Sequence, residues 1–421
     1  MSEVATDPGI FDAQSSKRRA RAQLSIAATF LAHALLFASW TAHIPQVKSQ
    51  LALSDGDLGT ALLGAPIGSV TAMVLSTRLL PRLGSRRMIR ITVVGYAMGG
   101  VGVGLAGTAV QLFAALVCWG LFQGALDVAM NTQAVTIERA VRQPIMARLH
   151  GMWSIGGFLG AVVGAGAVAV GIDPGLQLMA MGVLSIAIVE VLSRALIPDG
   201  AGTAETGSRR RGRGSGLSAV VVTLGGIAFA SMLCEGAAAD WSATYLRDEL
   251  GTDAGPAGLG YATYALAMVA MRLSGTLLGR RFRTDRLLPI LAIVFALGMG
   301  SALLTRNLLA ALIGFACMGI GLALIVPSAF SAAGAADHGP SRSNSGSIVA
   351  TVAALGWCGF VSGPPLIGHL ADLTGLTVAL WILPLLALVI ATTTRFGKAF
   401  AVASGDPIRT GRPRDAPWPP R

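Results

Sequence analysis

The stretch GLFQGALDVAMNTQAV, residues 120–135, places Gln123, Asp127 and Asn131 four residues apart in an otherwise apolar run. On a helix these positions share one face, so they form a single polar stripe. A charged side chain at the centre of a membrane helix costs about 2.5–3.5 kcal/mol on insertion scales, so the stripe cannot face lipid. Either it lines a water-filled cavity, or Asp127 sits near an interface under the solvated head of a neighbouring Arg.

Glu235, within FASMLCEGAAADWSATY, is a second acid in an apolar run. Asp127 and Glu235 are candidates to exchange protons as a cavity alternately meets each side of a membrane; for Glu235, a place in an outer vestibule is the alternative. Arg272 shares a helical face with Tyr264 and Met268. It is either a snorkelling side chain or a counter-charge for a carboxylate or an anionic substrate. His33 with Phe37, His150 with Trp153, and Trp357 are possible substrate contacts, since aromatic rings stack on sugars; packing is the bland alternative. Asp240 and Trp241 read as an interfacial anchor, and Glu190 with Arg194 at i+4 as a near-interface ion pair.

What must position these residues follows from composition. Of 421 residues, 53% are hydrophobic and 13% charged, with a mean hydropathy of +0.66. Soluble domains carry about 25% charged residues, and apolar runs of about 20 residues recur along the whole chain. The fold class expected is an all-α membrane protein. Twelve runs qualify as spans: 22–44, 57–80, 88–108, 110–135, 148–171, 176–197, 217–240, 257–280, 286–305, 307–331, 345–369 and 375–395.

The net charge of +11 raises nucleic acid as a partner, but the distribution of Lys and Arg argues against it. With the N-terminus inside, outer loops keep only Lys48, Arg247 and Arg306, and Arg272 lies within a span. Every other Lys and Arg falls on the inner side, as the positive-inside rule requires of a cytoplasmic face. Both termini are therefore expected in the cytoplasm, with a bacterial cytoplasmic membrane as the location. The N-terminus lacks the short basic start of a secretory signal, so the first run reads as a retained helix.

Residues 198–216, rich in Gly, Ser and Arg, divide six runs from six. The organisation expected is a cytoplasmic tail (1–21), a six-helix bundle (22–197), a cytoplasmic linker (198–216), a second bundle (217–395) and a disordered cytoplasmic tail (396–421). Faint echoes relate the halves: LSIAATFLAHALLFAS and LSAVVVTLGGIAFAS, then LLPRLGSRR and LLGRRFR, then CWG and CMG. Their shared order and offset favour an internal duplication, as in many secondary transporters.

This pattern resembles the major facilitator superfamily over essentially the whole chain. The family's motif between helices 2 and 3, G-x-x-x-D-R-x-G-R-[RK], is similar to TRLLPRLGSRR here, which keeps Arg82, Gly84, Arg86 and Arg87 as a gating loop. Pro81 stands where the family has Asp and Thr77 where it has the first Gly. In the family that Asp helps to latch the helix ends in one access state, so the resemblance implies a weakened or rebuilt latch. GLFQGALDVAMN, LHGMWSIGGFLGAVVGAG and DWSATYLRDELG resemble more specifically the YbjJ/MosC-like branch, distantly related to fucose-type sugar permeases.

Several chemistries are excluded by context. Gly102, Gly104 and Gly107 spell G-x-G-x-x-G, but no soluble strand precedes them, so no dinucleotide site is expected. There is no P-loop and no H-E-x-x-H, and the four Cys lie singly in apolar runs as packing residues. The double G-x-x-x-G of Gly156, Gly160 and Gly164 reads as close helix packing. Gly359 and Gly363, with Pro364 and Pro365, are expected to break helix 11 as a bending point. The function expected is a secondary active transporter working by alternating access with proton coupling. Its expected cavity has few charges and some aromatics, suited to a sugar derivative or an amphipathic drug-like compound. Small solute, protons and lipid are the expected partners, with no cofactor, no metal and no enzymatic activity, and a monomer is expected. A non-transporting membrane sensor of the same fold is the alternative.

Overall fold

The computed structural model describes residues 8–143, 145–198, 219–335 and 345–396, so nearly all of the linker and the C-terminal tail lie outside the described residues. The described residues form twelve long helical segments, and each predicted run falls on one of them. The first half holds α1 (Pro8–Thr41), α2 (Asp55–Leu83), α3 (Ser85–Gly104), α4 (Ala109–Val141), α5 (Met146–Ala169) and α6 (Pro174–Leu192). The second holds α7 (Ala219–Thr244), α8 (Ala254–Arg281), α9 (Thr284–Thr305), α10 (Leu308–Gly334), α11 (Ser345–Thr374) and α12 (Leu376–Phe396). Ten of them are long and apolar enough to cross a membrane; the other two, α3 and α8, are the ones that carry Arg86, Arg87 and Arg90, and Arg272 and Arg281. A band of large apolar side chains faces outward, with Leu24, Val74, Leu105, Leu297 and Leu373 between 63% and 83% exposed. In water such a surface would aggregate; in a bilayer it is the solvated face.

Local chemistry sets the helix starts. Ser54 accepts from the Asp57 amide while Asp57 reaches back to the Ser54 amide, a reciprocal capping box at the head of α2. Thr108, Asp173 and Asn307 cap α4, α6 and α10 by accepting from backbone amides of the first turn, with Pro174 at the first position of α6. At the head of α5 the Glu138 carboxylate accepts from the Ile145 and Met146 amides. Helix α1 begins at Pro8 rather than at residue 22, because QSSKRRARAQ contains only residues compatible with a helix and can continue it beyond the apolar run. A π-helical turn, Tyr245–Glu249, extends α7.

The halves repeat one packing scheme. In the first, α1 packs on α5 and α6, α4 on α2 and α3, and α3 on α6; in the second, α7 packs on α11 and α12, α10 on α8 and α9, and α9 on α12. The contacts between halves, α2 with α11 and α5 with α8, are exchanged by the same pseudo-symmetry. This is the geometry that the echoes between the halves pointed to.

Glycine makes the tightest of these contacts possible. A Cβ at Gly156, Gly160 or Gly164 would collide with the backbone of Leu31, Leu35 or Ser39 on α1, so the double G-x-x-x-G is a seam between α5 and α1. Gly120 and Gly124 lie equally close to Ala65 and Ser69 on α2. Helix α11 differs from expectation: it runs unbroken from Ser345 to Thr374 with Pro364 and Pro365 inside it. Membrane helices tolerate proline where neighbours re-satisfy the backbone. Cys118 and Cys358 lie on exposed faces, so only Cys234 among the four is a buried packing residue.

Candidate functional site: a cavity between the halves

Helices from both halves enclose a cavity of about 310 Å³. From the first half, α1 contributes Phe30, His33, Phe37 and Trp40, α4 contributes Trp119, Gln123 and Asp127, and α5 contributes His150 and Trp153. From the second, α7 contributes Glu235 and Asp240, α8 contributes Tyr261, Tyr264 and Arg272, and α11 contributes Trp357 and Phe360. Nine of the ten side chains expected at a coupling site or substrate contact therefore line this one cavity. The exception is Asn131, which lies outside the lining and donates instead to Asp127, at 2.9 Å to its carbonyl and 3.2 Å to Oδ1. Asp127 has no Arg within ion-pair distance among the described residues, so the guanidinium cap considered from sequence is not what it meets.

The first-half wall is an aromatic stack. Trp119 stacks on Tyr96 with ring centroids 5.3 Å apart and on Phe37 at 6.2 Å, and meets Trp40 edge-on at 6.5 Å. His33 stacks on Tyr96 at 5.4 Å, and its Nδ1 accepts from Trp153 Nε1 at 3.1 Å. Because an indole N–H only donates, this bond assigns the His33 proton to Nε2.

Charge is concentrated in the second-half wall. Arg272 Nη1 donates to Ser154 Oγ at 3.3 Å, crossing between the halves, and Ser154 Oγ donates in turn to the His150 carbonyl at 3.0 Å. Arg272 Nε is buried with no acceptor among the described residues. Glu235 and Arg272 lie within electrostatic reach of one another but form no ion pair. Tyr261 and Tyr264 stack at 5.6 Å, and Tyr261 feels the charges of Glu235, Arg272 and Asp240.

Several expectations need correction. Trp241 is fully buried in the core rather than anchored at a headgroup level, and Asp240 lines the cavity. Sequence reasoning missed Asp240 because Trp241 beside it suggested an interface. The run of small residues Gly236–Ala239 before it is the signal of an inward face, since close helix approach needs small side chains. Glu190 pairs across helices with Arg90 at 2.7 Å, not along its own helix with Arg194. The expected charge-poor cavity holds three carboxylates and a guanidinium.

The two halves are pinned at the end opposite the Arg-rich loops. Lys48, on a short helix Ile44–Gln50, reaches Asp55 of its own half at 2.6 Å and Asp248 of the other at 2.7 Å. Burial works to lower the Lys48 pKa, but the two carboxylates more than offset it, and the pKa is raised. Alongside, Ser54 Oγ donates to Asp372 at 3.1 Å and Thr60 Oγ1 pairs with His369 Nε2 at 3.2 Å. A Cβ at Gly59 would strike the Pro364 carbonyl, so the α2–α11 crossing is close as well as polar. The gating loop sits at the other end. There Gly84 adopts φ 72°, joining α2 to α3, with Arg82 and Arg87 exposed and Arg86 half-buried. No ion pair engages these three arginines among the described residues.

Fold and site together define a membrane protein of two repeated helical halves around a shared polar and aromatic cavity. The family model of the Major Facilitator Superfamily matches residues 24–335. The chain is 32% identical over 376 residues to an uncharacterized MFS-type transporter of Yersinia pestis, covering 89% of this chain and 95% of that one. It is 30% identical to the membrane protein MosC of Rhizobium meliloti over 373 residues, 88% and 89% of the two chains. Among solved structures, the D-xylose-proton symporter superposes with a TM-score of 0.69 at 15% identity, over 89% of this chain and 96% of that one. The chain belongs to the Major Facilitator Superfamily of membrane transporters.

Proposed function

We propose that the protein is a secondary active transporter that moves a small solute by alternating access, driven by protons, with twelve spans and both termini in the cytoplasm. The single observation that carries this reading is a cavity built from both halves and lined by acids, with the halves pinned at one end only among the described residues. Rocking about the α2–α11 and α5–α8 seams would release the Lys48 end and close the Arg-rich end. The sidedness of the arginines supports an access state whose cavity faces the cytoplasm.

Asp127 is the proton carrier in this scheme, with Asn131 holding its carboxylate against the cavity wall, and Glu235 is the acid of the second half, for coupling or substrate contact. Gln123 and the aromatic side chains His33, Phe37, Trp153, Tyr264 and Trp357 form the surface on which the solute rests. That a protein of the same fold is a D-xylose-proton symporter makes proton coupling compatible with this architecture. Arg82, Gly84, Arg86 and Arg87 form the gating loop at the unpinned end, and with Pro81 in place of an acid the latch that would hold that end closed is weakened or rebuilt. The protein is taken to act as a monomer in a bacterial cytoplasmic membrane, with the linker 198–216 between the bundles and the tails 1–21 and 396–421 flanking them.

The test is purified protein in proteoliposomes. A solute found by thermal-shift screening should show counterflow, and an imposed pH gradient should drive its accumulation. Asp127→Asn should abolish the pH-driven component while leaving counterflow measurable. Full pH-driven activity in that variant would remove Asp127 from the mechanism. Saturable binding without counterflow would establish the sensor reading instead.

A further inference from the structure

The second-half wall keeps opposite charges apart in one small cavity. Among the described residues, Arg272 uses a single N–H, on Ser154, out of the five a guanidinium offers, and it pairs with no carboxylate. Asp240 and Glu235 line the same space with no hydrogen-bond partner among the described residues. Charges of opposite sign left unpaired across a shared cavity are costly unless a ligand completes both. The stacked pair Tyr261–Tyr264 lies with them, and an aromatic face attracts a cation placed over it. A neutral sugar would leave both charges unmet; a simple cation would leave the guanidinium unmet; a simple anion would leave the acids unmet.

We propose that the solute is a zwitterion: its carboxylate docks on Arg272, its ammonium docks on Glu235 beside Tyr261 and Tyr264, and its body lies against the aromatic wall. This inference rests on the transporter reading for its purpose, but not for its test. It assigns Glu235 and Arg272, which lie within electrostatic reach of one another, to the two ends of the substrate and leaves Asp127, on the opposite wall, to the proton. A cavity of about 310 Å³ lies in the range of small-ligand sites and suits a molecule of amino-acid size.

Four probes share one body and differ in charge: phenylalanine, phenethylamine, 3-phenylpropionate and 3-phenylpropanol. Binding to detergent-purified protein is followed by quenching of cavity tryptophan fluorescence. Phenylalanine should bind about tenfold tighter or better than each of the other three, the effect of one charge-assisted contact. In Arg272→Gln the advantage over phenethylamine should vanish, and in Glu235→Gln the advantage over 3-phenylpropionate should vanish. Both variants are first checked for a monodisperse profile, and the wild-type series stands without them. Equal or tighter binding of the amine, the carboxylate or the alcohol overturns the inference, as does no binding by any of the four. Detergent holds no gradient, so the two readings fail separately. Phenylalanine binding without counterflow would defeat transport alone, whereas counterflow of some other solute with no preference for phenylalanine would defeat only the zwitterion.

Discussion

The Lys48 bridge is where a small substitution should move the whole molecule. Of its two contacts, the one to Asp55 stays within the first half and survives any rocking, whereas the one to Asp248 crosses and must break when that end opens. Lys48 and Asp55 are 15% and 18% exposed, Asp248 35%. The crossing pair therefore lies between an exposed bridge, worth up to about 1 kcal/mol, and a buried one, whose loss costs about 3–5 kcal/mol. Discounted for the water around Asp248, it stabilises the pinned state by about 1 kcal/mol, or roughly fivefold in population. Lys48→Met removes this contact and also leaves Asp55 facing Asp248, so its effect should exceed that of Asp248→Asn.

Spin labels at Gln50 and Asp253, both exposed and on different halves, read the change as a distance distribution by double electron–electron resonance. The long-distance population should rise about fivefold in Asp248→Asn and further in Lys48→Met. Raising salt should mimic the substitutions in the wild type and do little in the variants. The pH response has a definite sign. Because the carboxylates raise the Lys48 pKa, its contribution is fully present below the ordinary lysine value and is lost as pH rises through the raised one. Alkali should therefore open this end, in the wild type only. Identical distance distributions in all three proteins would refute the assignment of Lys48 as the pin.

Two further outcomes follow from packing. Gly160→Leu, with no room between α5 and the Leu35 backbone, should destabilise the fold by about 1–3 kcal/mol, seen as a lower midpoint of thermal unfolding in detergent. Glu190→Gln breaks a 2.7 Å pair whose Arg90 is 47% exposed, so the same measurement should move by less than about 1 kcal/mol; a larger loss would mean the pair is shielded by lipid.

The sequence alone determined the class and the pattern of elements. Runs of about 20 apolar residues leave helices as the economical way to satisfy a backbone away from water, and the echoes between halves anticipated the repeated packing. The interior direction of Asp127 and Glu235 was also legible, because a carboxylate facing lipid is too costly to tolerate. Residue spacing fixed which side chains share a face of one helix, and the glycines of α5 announced a close seam before its partner was known.

Only the tertiary structure decided which helix each face meets. Asn131 shares the helical stripe with Asp127 but stops at its neighbour's carboxylate, because the cavity ends short of it. Asp240 enters the cavity while Trp241 beside it turns into the core. Glu190 finds Arg90 a hundred residues away rather than Arg194 four residues on, and Lys48 finds Asp248 in the other half. The physical reason is common to all four. In a bundle where nearly every face is apolar, hydrophobicity says that a helix is embedded but not how it is rotated; rotation is set by small residues and by a few polar partners distant in sequence.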